Sequence, residues 1–274
     1  MKYWFITGIS SGLGKALAEA VIQQGDFVIG TFRKEKQVEA YNAKNKGNGF
    51  AVLLDITDGK KLVQVVGDLI TKFGKIDVLV NNAGVGFAGA IEESSTEEIK
   101  AVIDVNFYAT LNMTKAVLPY MRSAGSGCIV QISSHGGVKA FAGFGIYNAS
   151  KFAVEGFSEA LAQELAPLNI HVLIVEPGPF RTEFAGEQFG MAAKQIEAYS
   201  NTAGIFRNKI KKVNGQQEGD PHLAAKAIIN SVYSDKKTQR LPLGKIALKT
   251  IGMKIDHLKA DLEANKLIAE SVVF

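Results

Sequence analysis

Short apolar runs alternate with longer amphipathic stretches along most of this chain. Six runs, at 3–7, 27–31, 50–54, 77–81, 127–133 and 170–176, are rich in β-branched and aromatic residues and show little polar alternation. Such runs fit strands covered on both faces, as in a parallel sheet. Between them, apolar positions recur at helical spacing over 12–24, 34–45, 58–73, 96–122 and 146–166. Repeated strand–helix units with short connections predict an α/β fold: a doubly wound parallel sheet with helices on both faces and right-handed crossovers. A seventh strand is expected at Arg240-Leu-Pro-Leu243, where Pro242 confines it to an edge or a strand start.

The rhythm breaks at 182–216, where Phe184, Phe189, Met191, Tyr199, Ile205 and Phe206 stand among polar residues without a strand pattern. This stretch reads as a helical insertion over a cleft. No linker rich in Pro, Ser or Gly divides the chain, so residues 1–274 are expected to form one domain with a lid at 182–216. The tail over 245–270 carries Ile246, Leu248, Ile251, Ile255, Leu258 and Leu262 at helical spacing, to cover the sheet or a neighbouring subunit in a homo-oligomer.

Composition narrows the classes. With 47% hydrophobic and 21% charged residues in 274, the chain has the mix of a globular protein with a sizeable core. Cys128 is the only cysteine, which excludes an internal disulfide and any multi-cysteine metal site. Four scattered histidines lack ligand spacing, so no metal is expected. The chain enters its first strand by residue 3 without a basic-then-apolar leader, and no apolar run approaches bilayer length. A cytoplasmic protein with no membrane partner is the expectation. The net charge of +4 is uneven: residues 207–274 hold 13 Lys/Arg against 7 Asp/Glu, while the rest hold 18 against 20. Those tail cations are interspersed with acids and apolar residues, which predicts a solvated helix face and no nucleic-acid partner.

Two motifs carry chemistry. Thr7-Gly-Ile-Ser-Ser-Gly-Leu-Gly14 follows the apolar run Tyr3-Trp-Phe-Ile6 and opens a helix. Gly8, Gly12 and Gly14 at a strand-to-helix turn let backbone N–H groups approach a pyrophosphate at the positive end of the helix dipole, and Ser10 and Ser11 offer hydroxyls. Tyr147 and Lys151, four residues apart at a helix start, share one face. An adjacent ammonium favours the phenolate and is expected to lower the phenol's pKa. Together the motifs suggest a nicotinamide cofactor held by the first segment and proton transfer by the second.

These residues resemble the short-chain dehydrogenase/reductase family over nearly the whole chain. Its fingerprints occur in order: the glycine motif at 7–14, Asp55 after the third strand, Asn81-Asn-Ala-Gly84, Asn106, Ser134, Tyr147-x-x-x-Lys151, and Pro177-Gly178 followed by Thr182. The resemblance implies a Rossmann-like sheet and NAD(P)-dependent oxidation of alcohols or reduction of carbonyls. Family spacing puts the hydroxyl partner of Tyr147 thirteen residues earlier, at Ser134. By the same resemblance Tyr147 exchanges the proton with the substrate oxygen and Ser134 hydrogen-bonds that oxygen. Lys151 also holds the nicotinamide ribose, and Asn106 keeps a water beside it. Leu13, Asp55, Ile56, Asn81, Ala83, Gly84, Pro177, Gly178, Phe180 and Thr182 are implied around the dinucleotide. Asp55 reads alternatively as the cap of the helix over 58–73, and Asn106 as a mid-helix surface residue. Glu176 stands where many members have Asn.

At the end of the second strand, Val28-Ile-Gly-Thr-Phe-Arg-Lys34 offers no acid for a ribose 2′-hydroxyl. Arg33 suits a 2′-phosphate, so NADP(H) is expected over NAD(H), unless Arg33 only opens a solvated helix. The substrate pocket is expected from Ser134, His135, Phe141, Phe144, Tyr147 and Phe184. Its aromatics suit an apolar ketone, aldehyde or secondary alcohol, such as a steroid or retinoid; several could equally pack the core. Two other readings share the fold: a cofactor-binding redox sensor, and a lyase or epimerase.

Overall fold

The strands begin within a residue of the apolar runs, and a helix follows each until the lid, with one short extra strand after the fourth. The computed structural model describes residues 1–186 and 189–274. Its first half runs Tyr3–Ile6 (β1), Gly12–Gln23 (α1), Phe27–Phe32 (β2), Glu35–Lys44 (α2), Gly49–Leu53 (β3), Gly59–Phe73 (α3) and Val78–Asn81 (β4). Then come Phe87–Ala88 (β5), Thr96–Ile103 (α4), Ala109–Ala124 (α5), Gly127–Ile132 (β6), Gly145–Leu165 (α6) and Ile170–Pro177 (β7). The remainder is Gly190–Met191 (β8), Ile205–Val213 (α7), Pro221–Tyr233 (α8), Arg240–Leu243 (β9), Lys245–Ala264 (α9) and Lys266–Glu270 (α10).

Seven strands form one parallel sheet in the order β3-β2-β1-β4-β6-β7-β9. Alternate residues face opposite layers, so each strand feeds two cores. Trp4, Ile6, Val28, Val78, Val80 and Val130 pack with α1 and α8. Phe5, Ile29, Leu79 and Ile129 pack with α3, α5 and α6. The order reverses beside β1, whose neighbours are β2 and β4, and that is where an open parallel sheet leaves a crevice at its carboxyl ends. β9, carrying Pro242, lies at one edge as expected.

Local chemistry sets the helix ends. Asp58 caps α3 by accepting from the Lys61 N–H at 3.1 Å, and Gly74 ends it at φ 79°. Ser95 and Glu98 close a capping box at the start of α4. The single helix predicted over 96–122 is in fact three pieces, because residues 104–108 widen into one π turn between α4 and α5. That turn carries Asn106.

The lid expectation needs correction in detail. Residues 182–216 are not wholly helical: β8 pairs in parallel with β5 in a separate two-stranded sheet. Two residues of the predicted lid, 187 and 188, lie outside the described residues. The rest is pinned by a buried ion pair between Arg207 of α7 and Glu93, whose carboxylate also accepts from the Ala90 and Ile196 N–H groups at 2.7 and 2.9 Å. Helix α8 was not foreseen, although Asp220 and Pro221 form a cap and first-turn pair that announces it. Among the described residues, no helix is long and apolar enough to cross a membrane.

Candidate active site

The turn between β1 and α1 is built around backbone, not side chains. Gly8 and Gly12 adopt φ of 70° and 60°, which disfavours any residue with a Cβ. The Gly8 N–H donates to Thr31 Oγ1 at 2.9 Å. At Gly14 a Cβ would lie 2.3 Å from Asn82 Nδ2 and 2.5 Å from the Gly8 carbonyl oxygen. The space is used: Asn82 Nδ2 donates to the carbonyls of Thr7 and Gly8, at 2.8 and 3.1 Å. Thr7 Oγ1 in turn accepts from the Asn82 and Ala83 N–H groups at 2.9 and 3.0 Å. No side chain caps the first turn of α1, so its amides keep the unmet donors an anion can take. Ser10, Ser11, Gly12 and Lys15 line a cleft of about 300 Å³ with Arg181 and Thr182 across it. Leu13 packs its side chain on the core and offers only backbone. Turn, uncapped helix and cleft together fit a dinucleotide's phosphates.

Of the other expected cofactor contacts only Thr182 lines this cleft, and the rest have distinct surroundings. The Asn81 side chain is buried in the molecule's centre, donating to Thr114 Oγ1 and Gln131 Oε1 at 2.9 and 3.0 Å, so it braces β4 against α5 and β6. Asp55 is not the cap of α3; that place belongs to Asp58. Its Oδ1 accepts from the Thr57 N–H and hydroxyl at 3.0 and 2.7 Å, which hold the carboxyl below its usual range, and Arg33 adds to the effect. Arg33 is exposed and Ile56 buried. Pro177 and Gly178 leave β7 toward the cleft, with the Gly178 N–H bonded to the Leu243 carbonyl at 2.8 Å. Phe180 bridges to Gly219. Thr182 touches the turn from above, its Cβ 3.3 Å from where a Gly12 Cβ would stand.

Ser134, Tyr147, Lys151 and Asn106 converge at the carboxyl ends of β4 and β6. A Cβ at Gly136 would sit 3.2 Å from Ser134 Oγ and 3.5 Å from Tyr147 Cε1, so the hydroxyl and the phenol ring flank the same small gap. A Cβ at Gly84 would sit 3.2 Å from Asn106 Oδ1 and 3.6 Å from Lys151 Nζ. Lys151 Nζ donates to the Ile132 carbonyl at 2.8 Å and stands 5.9 Å from the Tyr147 ring centroid. Asn106 is no surface residue. It is 1% exposed, because the π turn rotates it inward, where it donates to Val85 O and Ser150 Oγ at 2.9 and 3.0 Å.

The expected electrostatics are reversed at the tyrosine. Burial pushes the Tyr147 phenol up to about 12, opposed by a hydrogen bond from Ser134. Burial also lowers Lys151, to about 8, opposed by the neighbouring Glu155 carboxylate. Glu155 lies one turn along α6 and belongs to a second charged group behind the site. Arg240 Nη1 bonds its carboxylate at 2.6 Å and also pairs with Glu176, while Nη2 pairs with Glu159. Burial raises both Glu155 and Glu176. Glu176, the residue that departs from the family's usual Asn, is therefore tied to β9 by charge.

The expected pocket residues gather as an aromatic wall. Phe144 stacks on Tyr147 with centroids 4.1 Å apart and planes 16° from parallel, and Phe184 meets the same ring edge-on at 5.7 Å. Phe189 and Phe206 lie beyond Phe144 at 6.0 and 4.8 Å. Phe141 contacts His135 at 5.2 Å, and His135 Nδ1 shares a 3.0 Å hydrogen bond with Thr250 of α9. His135, kept neutral by burial that lowers it to about 4, thus turns toward the tail helix. Sequence reasoning missed Thr7, Asn82 and Glu155 as positioning residues. Asn82 lay in plain view inside Asn81-Asn-Ala-Gly84, but only the fold shows which asparagine props the glycine turn.

Comparison with known proteins agrees with this geometry. The family model described as "short chain dehydrogenase" matches residues 2–192. A 3-ketodihydrosphingosine reductase of Bacteroides thetaiotaomicron is 41% identical over 218 residues, covering 79% of this chain and 77% of that protein. A solved short-chain dehydrogenase from Streptomyces avermitilis is 39% identical, superposes with a TM-score of 0.91, and covers 100% of this chain and 98% of its own. A serine dehydrogenase solved with NADP+ is 25% identical with a TM-score of 0.75, covering 88% and 94%. A parallel sheet with its glycine turn, tyrosine and lysine in these places, matched from end to end, makes the chain a member of the short-chain dehydrogenase family of oxidoreductases.

Proposed function

We propose that this chain is an NADP(H)-dependent oxidoreductase that interconverts an apolar carbonyl compound and its secondary alcohol, with Tyr147 as general acid and base. The observation that carries the reading is the convergence of a buried phenol, a hydroxyl and an ammonium beneath an aromatic wall, next to a pyrophosphate-shaped turn. A bound nicotinamide dinucleotide supplies or accepts the hydride. Everything else falls to the chain's own residues. Ser134 donates a hydrogen bond to the substrate oxygen and stabilises the charge that gathers there. Tyr147 Oη gives that oxygen its proton in reduction and takes it back in oxidation. At neutral pH a phenol pushed up to about 12 is protonated, which favours its role as the acid in carbonyl reduction. Lys151 and Asn106 hold the interior side of the cluster, and the lid with Phe144, Phe184 and Phe206 excludes water.

Arg33 directly after β2, with no acid at the end of that strand, supports NADP(H) over NAD(H). The wall of phenylalanines supports a long or bulky apolar substrate; the similar 3-ketodihydrosphingosine reductase, whose name describes a lipid ketone, points the same way. The test is a panel of apolar ketones and aldehydes followed through NADPH absorbance, with Tyr147→Phe alongside. Turnover should fall by roughly 10²–10⁴-fold in that variant while NADPH affinity stays near wild type. Near-normal turnover would refute the assignment, and cofactor binding with no turnover of any carbonyl would favour the redox-sensor reading.

A further inference from the structure

Among the described residues, half of the exposed large hydrophobic side chains lie between Ile246 and Phe274. Helix α9 buries only Ala247. Leu248, Ile251, Ile255, Leu258 and Leu262 recur at intervals of three and four, the spacing of a coiled-coil seam. Leu248, Ile255, Leu258 and Leu262 are 61%, 58%, 48% and 74% exposed. The face of α9 that meets the body is a different one: Ala247 packs on Gly178, and Thr250 reaches His135. At about 100° per residue the seam lies roughly a quarter turn away from those contacts; Ile251 is half-buried beside the body, and from Ile255 onward the seam is exposed. A Cβ at Gly252, beside the seam, would meet nothing within 4 Å.

We propose that this seam is a homodimer interface, in which α9 pairs antiparallel with α9 of a second copy of this chain. The flanking charges select both partner and direction. Lys254 and Asp261 border one side of the seam, and Gly252 and Lys259 the other. In a parallel pair Lys254 would meet Lys259 of the second copy, a like-charge contact made twice. In the antiparallel pair Ile255 layers on Leu258 and Ile251 on Leu262, and Lys254 meets Asp261 on both sides of the two-fold axis. Leu248 then falls opposite Asn265, a polar end that limits sliding. An anionic lipid surface is a poorer match, because residues 245–274 hold five Lys against four Asp/Glu.

The full-length protein is the material for the test, with light scattering and sedimentation across a concentration series. The wild type is expected as an even oligomer. Ile255→Asp with Leu258→Asp should halve that assembly, while NADPH binding and the melting temperature of the body persist, because neither side chain belongs to the core. Lys254→Asp should weaken association at least about tenfold, and adding Asp261→Lys should restore it. A monomeric wild type, an oligomer indifferent to the double aspartate variant, or spontaneous disulfide formation by Leu248→Cys between copies would each overturn the proposal. So would a monomer that sediments with phosphatidylserine vesicles through the same seam.

Discussion

Replacing Lys151 by Met tests how far this site sacrifices stability for chemistry. The ammonium is buried, and its folded pKa of about 8 lies below the ordinary 10.5. A group lowered in this way binds fewer protons folded than unfolded, so it destabilises the fold at neutral pH and the loss fades as pH rises from 8 toward 10.5. At pH 7 the difference is worth about 3 kcal/mol against the wild type, and by pH 9 about 1 kcal/mol of it has gone. Methionine fills a similar volume without charge. It also leaves the Ile132 carbonyl without its 2.8 Å donor, which costs about 1–3 kcal/mol at every pH. The absolute gain therefore depends on that carbonyl, but the pH dependence does not. Urea unfolding of the cofactor-free protein, wild type and Lys151→Met at pH 7 and 9, should show the variant's relative stability falling by about 1 kcal/mol between the two. Parallel pH dependences would refute the reasoning. Activity of the variant should be lost throughout.

Other outcomes follow from single distances. Gly14→Ala drives a methyl into Asn82 Nδ2 and the Gly8 carbonyl, so stability should drop by about 1–3 kcal/mol in denaturant melts, with NADPH affinity falling in step. Unchanged calorimetric binding would show that the turn does not hold the phosphates. Arg240→Met leaves Glu155, Glu159 and Glu176 facing one another, an expected loss of about 3–5 kcal/mol at pH 7. Glu155 and Glu176 are raised, so that loss should shrink as pH falls and they take up protons; a pH-independent loss contradicts the charge argument. Arg33→Ser should weaken NADPH by about 1–2 kcal/mol and spare NADH in paired titrations. Equal effects on both would make Arg33 a surface residue only.

Period and punctuation made most of the scaffold readable. β1, β2, β4, β6 and β7 are buried on both faces, so an unbroken apolar run was enough to find them, and their ends move by a residue or two at most. The π turn at 104–108 was invisible, because an extra residue in a helix leaves the apolar spacing on either side almost intact. Pairing of β5 with β8 joins residues about a hundred positions apart through two short, glycine-flanked strands, too short to show any period.

The site divides the same way. The sequence determined the residue types and their order: glycines where a backbone must approach a phosphate, a tyrosine and lysine one turn apart, a serine at a strand end. Those follow from local geometry, which neighbours along the chain dictate. Only the tertiary structure decided the charge states, because desolvation depends on everything packed around a group. Burial raised Tyr147 to about 12 and lowered Lys151 to about 8, the reverse of what the pair alone implies. It also decided which asparagine props the turn, since Asn82 acts across a contact with Thr7 and Gly8 that no local pattern encodes.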